Sequence, residues 1–372
     1  MKVAIAQITS IPNPERNLRL CRRIIQKSVA KGAELVVFPE SSDVIFGPGC
    51  KGDEERKDPK RILAFVDGMK EAARENQVWV VFGTHFPVRC RGSPCIGRLT
   101  PPWQCEKDDT MWRNSCFTYN PSGQLVHRYD KLHPCEAKLP DMDVSESQTC
   151  LPGDGAQRGL DLLEITARDG ETWKFGVTIC YDIRYPQLFT YLRGKGAEAF
   201  IISTAWFPTT RRHWDPLLTT RAIDNQAYAI APAQVGSHHD ERESLGASAV
   251  VDPWGDKIVR LPSIADRKDG QKKTNGEIKT KATNGTSPNG AVEVSETSYA
   301  HKGNGVTEHA PAGDIEVGSD GDWDDLGDDE DGGPGVAIGY AVLRKEKVKD
   351  LREKVPVWDN LRPEVYGEPC GK

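Results

Sequence analysis

GVTICYDIRYPQLF, residues 176–189, is the stretch whose reading decides the fold. The residues leading into it, Trp173 to Ile179, are β-branched and aromatic, the composition of a buried strand. Beyond Cys180, Asp182 has the chemistry of a helix N-cap, and Gln187-Leu188-Phe189 continues at helical spacing. Cys180 therefore falls at a strand-to-helix turn, where backbone N–H groups lack intrahelical partners. Such a turn can present a nucleophile. It can equally hold an inert thiol in packing, and the residue alone leaves both readings open.

On either side the chain alternates between the same two patterns. Residues 2–8 read as a strand, and Asn13-Pro14-Glu15 opens a helix that Gly32 ends. Strands follow at 35–38, 78–83, 115–119 and 124–129, with a helix over 59–76 between the first two. The second half repeats the scheme, with strands at 159–166, 173–179, 199–203 and 227–234 and helices over 184–193 and 211–225. Residues 247–251 and 257–260 read as a hairpin around Asp252-Pro253-Trp254-Gly255. A strand at 335–343, a helix over 344–353 and an extended tail at 356–370 close the chain. Strands alternating with helices place it in the α/β class.

Two segments break the pattern. Residues 264–333 hold a Lys/Thr/Gly-rich part and a nearly continuous acidic run from Asp320 to Asp331, too poor in apolar residues to offset chain entropy. They read as a disordered, low-complexity loop inserted into a single domain spanning 1–368. Residues 89–112 read as a smaller loop insertion carrying Cys90, Cys95 and Cys105, whose spacing is not that of a zinc site. Asp320, Asp322 and Asp324 resemble an EF-hand start, but Asp325 stands where that loop needs Gly, so no metal is expected.

The bulk numbers exclude several classes. The 372 residues carry a formal net charge of −6, which argues against a general nucleic-acid or anionic-membrane binder. Hydrophobic content is only 37%, in keeping with a part of the chain that builds no core. No apolar run approaches the roughly 18 residues of a membrane helix. MKVAIAQIT at the N-terminus reads as a strand with little room for a targeting segment, so a cytoplasmic protein with reduced cysteines is expected.

Other residues bear on Cys180. Glu40 ends the strand at 35–38, and Lys131 lies just past the strand at 124–129. Both sit where α/β sheets display active groups. Glu146 lies in the loop that follows. A thiol is mostly protonated at neutral pH and needs a base, and burial raises a carboxyl toward that task. An ammonium and a backbone N–H can hold the charge of a tetrahedral intermediate. Glu40, Lys131 and the Tyr181 N–H fit these roles, with Glu146 holding Lys131 or relaying a proton.

Pro39-Glu40, Tyr129-x-Lys131-x-His133 and Cys180-x-Asp182-x-Arg184-Tyr185-Pro186-x-Leu188-Phe189, with His213-Trp214, Arg221-Ala222-x-Asp224-Asn225 and Val251-Asp252-Pro253-Trp254-Gly255, resemble the nitrilase (carbon–nitrogen hydrolase) superfamily. The resemblance implies a four-layer αββα sandwich, with Glu40 as general base, Lys131 as oxyanion holder, Cys180 as nucleophile and Glu146 in support. It implies a small-molecule amide substrate, no cofactor, and a homodimer or higher homo-oligomer. Residues 233–242, Glu146-Ser147 with Pro152-Gly153, and residues 362–367 are similar to the deaminated glutathione amidases. The ω-amidases, acting on 2-oxoglutaramate, resemble the core equally well but the His238-His239 stretch less. Gly246-Ala247-Ser248 departs from a common Gly-His-Ser, and the two insertions lie outside the family pattern. A third reading is a non-catalytic interaction protein on the same fold.

Some roles stay open. Arg184 either pairs with Asp182 or a C-terminal carboxylate, or forms a fork for a substrate carboxylate. Trp206 and Phe207 either line the site or are core. His133 reads as a structural hydrogen-bonder, and His238 and His239 as loop residues at the pocket rim.

Overall fold

The computed structural model describes residues 1–45, 59–88, 111–138, 143–153, 160–239, 242–266, 322–327 and 330–367. The first half runs β1 (Lys2–Ile8), α1 (Pro14–Ala30), β2 (Leu35–Val37), α2 (Pro59–Asn76), β3 (Trp79–Val88), β4 (Met111–Tyr119) and β5 (Leu125–Asp130). A short ribbon, β6 (Glu136–Lys138) and β7 (Asp143–Ser145), leads to β8 (Leu163–Thr166) and β9 (Thr172–Ile179). Next come α3 (Pro186–Gly194), β10 (Ala199–Ser203), α4 (Arg211–Asn225), β11 (Tyr228–Ala231), β12 (Ala233–His239) and β13 (Arg242–Leu245). The remainder is β14 (Ala249–Val251), β15 (Lys257–Arg260), β16 (Trp323–Asp325), β17 (Ala337–Val342), α5 (Lys345–Lys354) and α6 (Pro363–Tyr366).

Two sheets form the middle of the αββα sandwich. One has the order β13-β12-β1-β2-β3-β4-β5, with β17 also on β1 and β16 on β17. The other has the order β15-β14-β11-β10-β9-β8. The period-2 alternation of the strands explains the layering. Val3 and Ile5 of β1, Leu35 and Val37 of β2 and Val81 of β3 face the second sheet and pack with Trp173, Val177 and Ile201. Their neighbours Ala4, Ala6, Val36, Val80 and Phe82 face outward onto Leu20, Ile24, Phe65 and Met69 of α1 and α2. Helices α3 and α4 cover the far side of the second sheet through Phe189, Leu192, Leu218 and Ala222. A strand apolar on both faces can only sit between two apolar layers, which is why these runs look continuous rather than alternating in the sequence.

The stretch 227–234, expected as one strand, is two. Residues 228–231 pair in parallel with β10, while Ala233 and Gln234 pair with Gln7 and Ile8 of the other sheet. Pro232 stands between them, and its missing N–H suits a point where the chain leaves one sheet for another. The tail beyond residue 356 also carries a short helix, α6, which Pro363 opens.

The inserted segments start and stop differently from expectation. Met111 and Trp112, counted in the insertion at 89–112, belong to β4, and Trp112 is buried; residues 89–110 lie outside the described residues. The acidic end of 264–333 is likewise structured where it is described. Strand β16 pairs antiparallel with β17, and Leu326 is buried. Lys31 holds Asp324 at 2.6 Å and Asp322 at 3.5 Å, Arg23 meets Glu330 at 3.6 Å, and Arg19 meets Asp331 at 3.0 Å. Arg16 adds a bond to the Gly332 carbonyl at 2.8 Å. Arg16, Arg19 and Arg23 recur every three or four residues and so share one face of α1. A basic helix face supplies the counter-charge that the acidic run lacks within itself. Residues 267–321, which carry most of the expected disorder, lie outside the described residues, as do Cys90, Cys95, Cys105 and Asp320.

Candidate active site

Three strand ends bring the functional side chains together. Glu40 sits in the turn after β2, where Ser41 has φ +55° and the Ser42 hydroxyl donates to the Pro39 carbonyl at 2.7 Å. That turn lies directly on β3. A Cβ built on Gly83 would stand 2.6 Å from Glu40 Cα, so only glycine admits this approach. Lys131 follows β5, with its N–H held by the Asn114 carbonyl at 2.9 Å. Cys180 follows β9 at the head of a 3-10 turn over Cys180–Arg184, with φ +45°. A non-glycine residue in that region is strained by roughly 1–2 kcal/mol, and strain of this kind clusters at functional sites.

The Cys180 elbow is pinned by Asp182, which is fully buried. Its Oδ2 accepts from the Ile179 N–H at 3.0 Å and the Tyr129 hydroxyl at 2.7 Å. Its Oδ1 accepts from the His133 N–H at 3.1 Å and faces His133 Nδ1 at 2.7 Å. Asp182 is therefore not the cap of a long helix. Helix α3 begins only at Pro186, because Asp182 is turned inward to join the Cys180 loop to both flanks of Lys131. His133 takes the structural place expected of it and stacks on Tyr185 with ring centroids 3.6 Å apart.

The charged groups converge. Lys131 Nζ lies 2.8 Å from Glu40 Oε1 and 2.7 Å from Glu146 Oε2. Asn114 Nδ2 donates to Glu40 Oε1 at 2.7 Å and to Glu146 Oε1 at 2.8 Å. The Ala205 N–H donates to Glu40 Oε2 at 2.9 Å, and the Cys135 N–H to Glu146 Oε2 at 2.7 Å. The Cys180 thiol lies close enough to Glu40 and to the Ala205 N–H for both to act on its proton. Glu40, Lys131 and Cys180 are all buried.

Burial was expected to raise the Glu40 carboxyl, and it does push that way. The Lys131 charge and hydrogen bonds from Lys131, Cys180 and Asn114 outweigh it and hold the group below the ordinary carboxylate range. Burial likewise pushes Lys131 down, but Glu146 and Glu40 lift it well above the ordinary lysine range. Burial and the Glu40 charge drive the Cys180 thiol well above the ordinary cysteine range, against Lys131 and the Ala205 N–H. The resting site is a carboxylate, an ammonium and a neutral thiol beside the carboxylate that can take its proton.

The open readings resolve in part. Arg184 does not pair with Asp182, whose oxygens are engaged. Its guanidinium lies 4.7 Å from the Trp206 ring centroid and 5.5 Å from that of Tyr181, and it meets His213 Nδ1 at 3.2 Å. Trp206 is buried, its Nε1–H on the Thr210 carbonyl at 3.1 Å, while Phe207 is half-buried. His238 is not a rim residue. It lies within β12, buried, between the Ser10 carbonyl at 2.8 Å and the Ser244 hydroxyl at 2.9 Å, and burial brings its pKa down to about 3. Among the described residues, no three His, Cys, Asp or Glu side chains are grouped as metal ligands, and no helix is long and apolar enough to cross a membrane.

Asn114, the Ala205 N–H and Arg242 were not expected. An Asn inside a strand carries no local signal of its target, and a backbone N–H carries none at all. Arg242 lies within the stretch 233–242 already singled out, but nothing in its neighbours assigns it a contact.

Residues 2–265 match the carbon-nitrogen hydrolase family. A deaminated glutathione amidase of Dictyostelium discoideum is 31% identical over 265 residues, covering 70% of this chain and 83% of that protein. That of Homo sapiens is 30% identical over 268 residues, covering 69% and 72%. A probable hydrolase nit2 of Schizosaccharomyces pombe is 30% identical over 263 residues, covering 70% and 86%. Among solved structures, the C. elegans NitFhit protein matches with a TM-score of 0.65 at 21% identity, over 98% of this chain and 66% of that one. Saccharomyces cerevisiae Nit3, a member of branch 10 of the nitrilase superfamily, matches with a TM-score of 0.58 at 23% identity, over 96% and 94%. These two likenesses speak to the fold alone.

Proposed function

The chain belongs to the carbon–nitrogen hydrolase family, and from that premise we propose that it is a thiol amidase cleaving deaminated glutathione, N-(4-oxoglutaryl)-cysteinylglycine, to 2-oxoglutarate and cysteinylglycine. The observation that carries the chemistry is the buried ammonium of Lys131, placed between Glu40 and Glu146 beside the Cys180 thiol. Relatives named deaminated glutathione amidase, 31% and 30% identical, support the substrate.

In this reading Cys180 Sγ attacks the amide carbon as its proton passes to Glu40. The carbonyl oxygen becomes an oxyanion. An ammonium has three N–H donors, and Lys131 directs one to each carboxylate, so the third serves the oxyanion together with the Tyr181 N–H. Glu40 returns the proton to the leaving amine, and the C–N bond breaks to leave a thioester on Cys180. Glu40 then takes a proton from water, whose hydroxyl adds to the thioester carbon. The C–S bond breaks, and the thiol recovers its proton. Glu146 and Asn114 keep Lys131 and Glu40 in register. The residues present complete this cycle without a cofactor. We place the enzyme in the cytoplasm, working as a homodimer or higher homo-oligomer on a small-molecule amide.

The ω-amidase reading shares every step and differs in the leaving group, ammonia instead of cysteinylglycine. Turnover of both oxoglutaryl amides, measured side by side, separates them. Deaminated glutathione is expected to have the higher kcat/KM, and an equal or higher value for 2-oxoglutaramate overturns the substrate assignment. The non-catalytic reading is set aside, because burying two carboxylates and an ammonium carries a desolvation penalty that a scaffold has no use for.

A further inference from the structure

We propose that Arg242 receives the substrate's carboxylate and so selects anionic acyl groups. This rests on the amidase reading above and deepens it. Arg242 opens β13, and its guanidinium lies over Phe207, 3.7 Å from the ring centroid. Nη2 donates to the Ala205 carbonyl at 2.6 Å, and Nη1 to the Glu243 carbonyl at 2.7 Å. The N–H of the same Ala205 donates to Glu40 and meets the Cys180 thiol. A single residue thus carries the guanidinium on its carbonyl and the Glu40 carboxylate on its N–H.

Three features mark this cation as a receptor rather than as structural glue. First, among the described residues no carboxylate lies within ion-pair reach of it, and the carboxylate whose charge acts on it is Glu40 of the site itself. Second, it is enclosed yet only half-buried, so part of its surface opens to solvent. Burial pulls its pKa down to about 10, which still leaves it charged at neutral pH. A cation held in such a place without a carboxylate costs stability unless something else uses it. Third, the charges of Glu40, Glu146 and Lys131 leave one net negative charge around the thiol. An anionic amide approaching that charge is repelled unless a second cation meets it. The backbone bonds take two of the five N–H donors of the fork, and a planar fork is the group that binds a carboxylate through two parallel bonds. Arg184 also lacks a carboxylate partner among the described residues, but its guanidinium lies over Trp206 and Tyr181 and on His213 Nδ1.

The test uses the full chain with 2-oxoglutaramate and its methyl ester, the same skeleton without the charge. The quantity read is the ratio of kcat/KM for the acid to that for the ester. Relative to wild type, the ratio is expected to fall about a hundredfold in Arg242→Met and about tenfold in Arg242→Lys, the size of losing a charge-assisted hydrogen-bonded pair or only its fork. Arg242→Lys keeps the stem and charge and serves where the Met variant does not fold. A wild type that prefers the acid, with both variants keeping that preference, overturns the proposal and leaves the amidase reading standing. A wild type that turns over no oxoglutaryl amide overturns the amidase reading, and this proposal with it.

Discussion

Replacing Glu146 by Gln removes one charge from the buried site while keeping its shape. Three donors converge on the Glu146 carboxylate: Lys131 Nζ at 2.7 Å, the Cys135 N–H at 2.7 Å and Asn114 Nδ2 at 2.8 Å. A glutamine offers one acceptor oxygen, so its amide NH2 must face at least one of those donors. The orientation that keeps Lys131 and Cys135 sets it against Asn114. Losing a hydrogen bond to a charged group costs about 1.5–3 kcal/mol. The lost attraction to Lys131 is of order 4 kcal/mol at 4 Å and an effective dielectric of about 20, offset by the desolvation of the carboxylate that is no longer buried. A net loss of about 3 kcal/mol follows, which is roughly a hundredfold in an equilibrium or a rate. Glu146 is the largest influence lifting Lys131 against its burial, so the variant's ammonium titrates at lower pH than the wild type's. In the proposed mechanism the ammonium form is the active one, and it is lost as pH rises through the folded pKa. The alkaline limb of kcat/KM therefore moves to lower pH in Glu146→Gln, and the stability that Lys131 contributes below its ordinary value of 10.5 shrinks with it. Urea unfolding at neutral pH and a pH profile of kcat/KM give both readings. Unfolding free energy and activity within threefold of wild type, with an unmoved alkaline limb, refute the role of Glu146 in holding Lys131.

Cys180→Ala should lower turnover about a thousandfold or more while leaving the unfolding transition in place; rates within tenfold of wild type would assign the nucleophile elsewhere. Because Glu40 is held below its ordinary 4.5, its carboxylate persists as pH falls through that value. The acid limb of kcat/KM should lie below pH 4.5, and the stability Glu40 contributes above its unfolded pKa should fade only as pH drops through the folded one; an acid limb near pH 6 would contradict this. Replacing residues 267–321 by a short Gly/Ser linker should leave the melting temperature nearly unchanged, whereas extending the deletion through 333 removes β16, buried Leu326 and the Arg19–Asp331 pair. The longer deletion should melt lower by several degrees, about what a loss of 1–3 kcal/mol produces; equal melting of the two deletions would show that the acidic strap stabilises nothing.

The sequence carried the parts of this structure that local rules control. Helix α1 begins at Asn13-Pro14 and ends before Gly32 because capping chemistry is local, and the Asn13 side chain does accept from the Arg16 N–H at 3.0 Å. Strand ends displayed Glu40, Lys131 and Cys180, after β2 and β5 of one sheet and β9 of the other. What escaped were choices made by distant partners. The split at Pro232 depends on which sheet each half joins. Asp182 has the composition of a cap, but Tyr129 and His133 draw it inward. His238 sits in a polar stretch, yet Ser10 and Ser244 bury it. The acidic run offered no core of its own, and the basic face that orders its end lies on α1, near the other end of the chain. Asn114 and Arg242 gain their meaning only from side chains brought up by other strands.

The left-handed backbone at Cys180 has a bearing on how this protein tolerates change. Glycine is the residue most at ease there, and it would relax the turn by roughly 1 kcal/mol. Selection for robustness and selection for catalysis thus disagree at a single codon. The sulfur stays where the main chain would sooner have no side chain, and an effort to harden this protein against heat that ignored turnover would tend to discard the thiol on which the proposed mechanism depends.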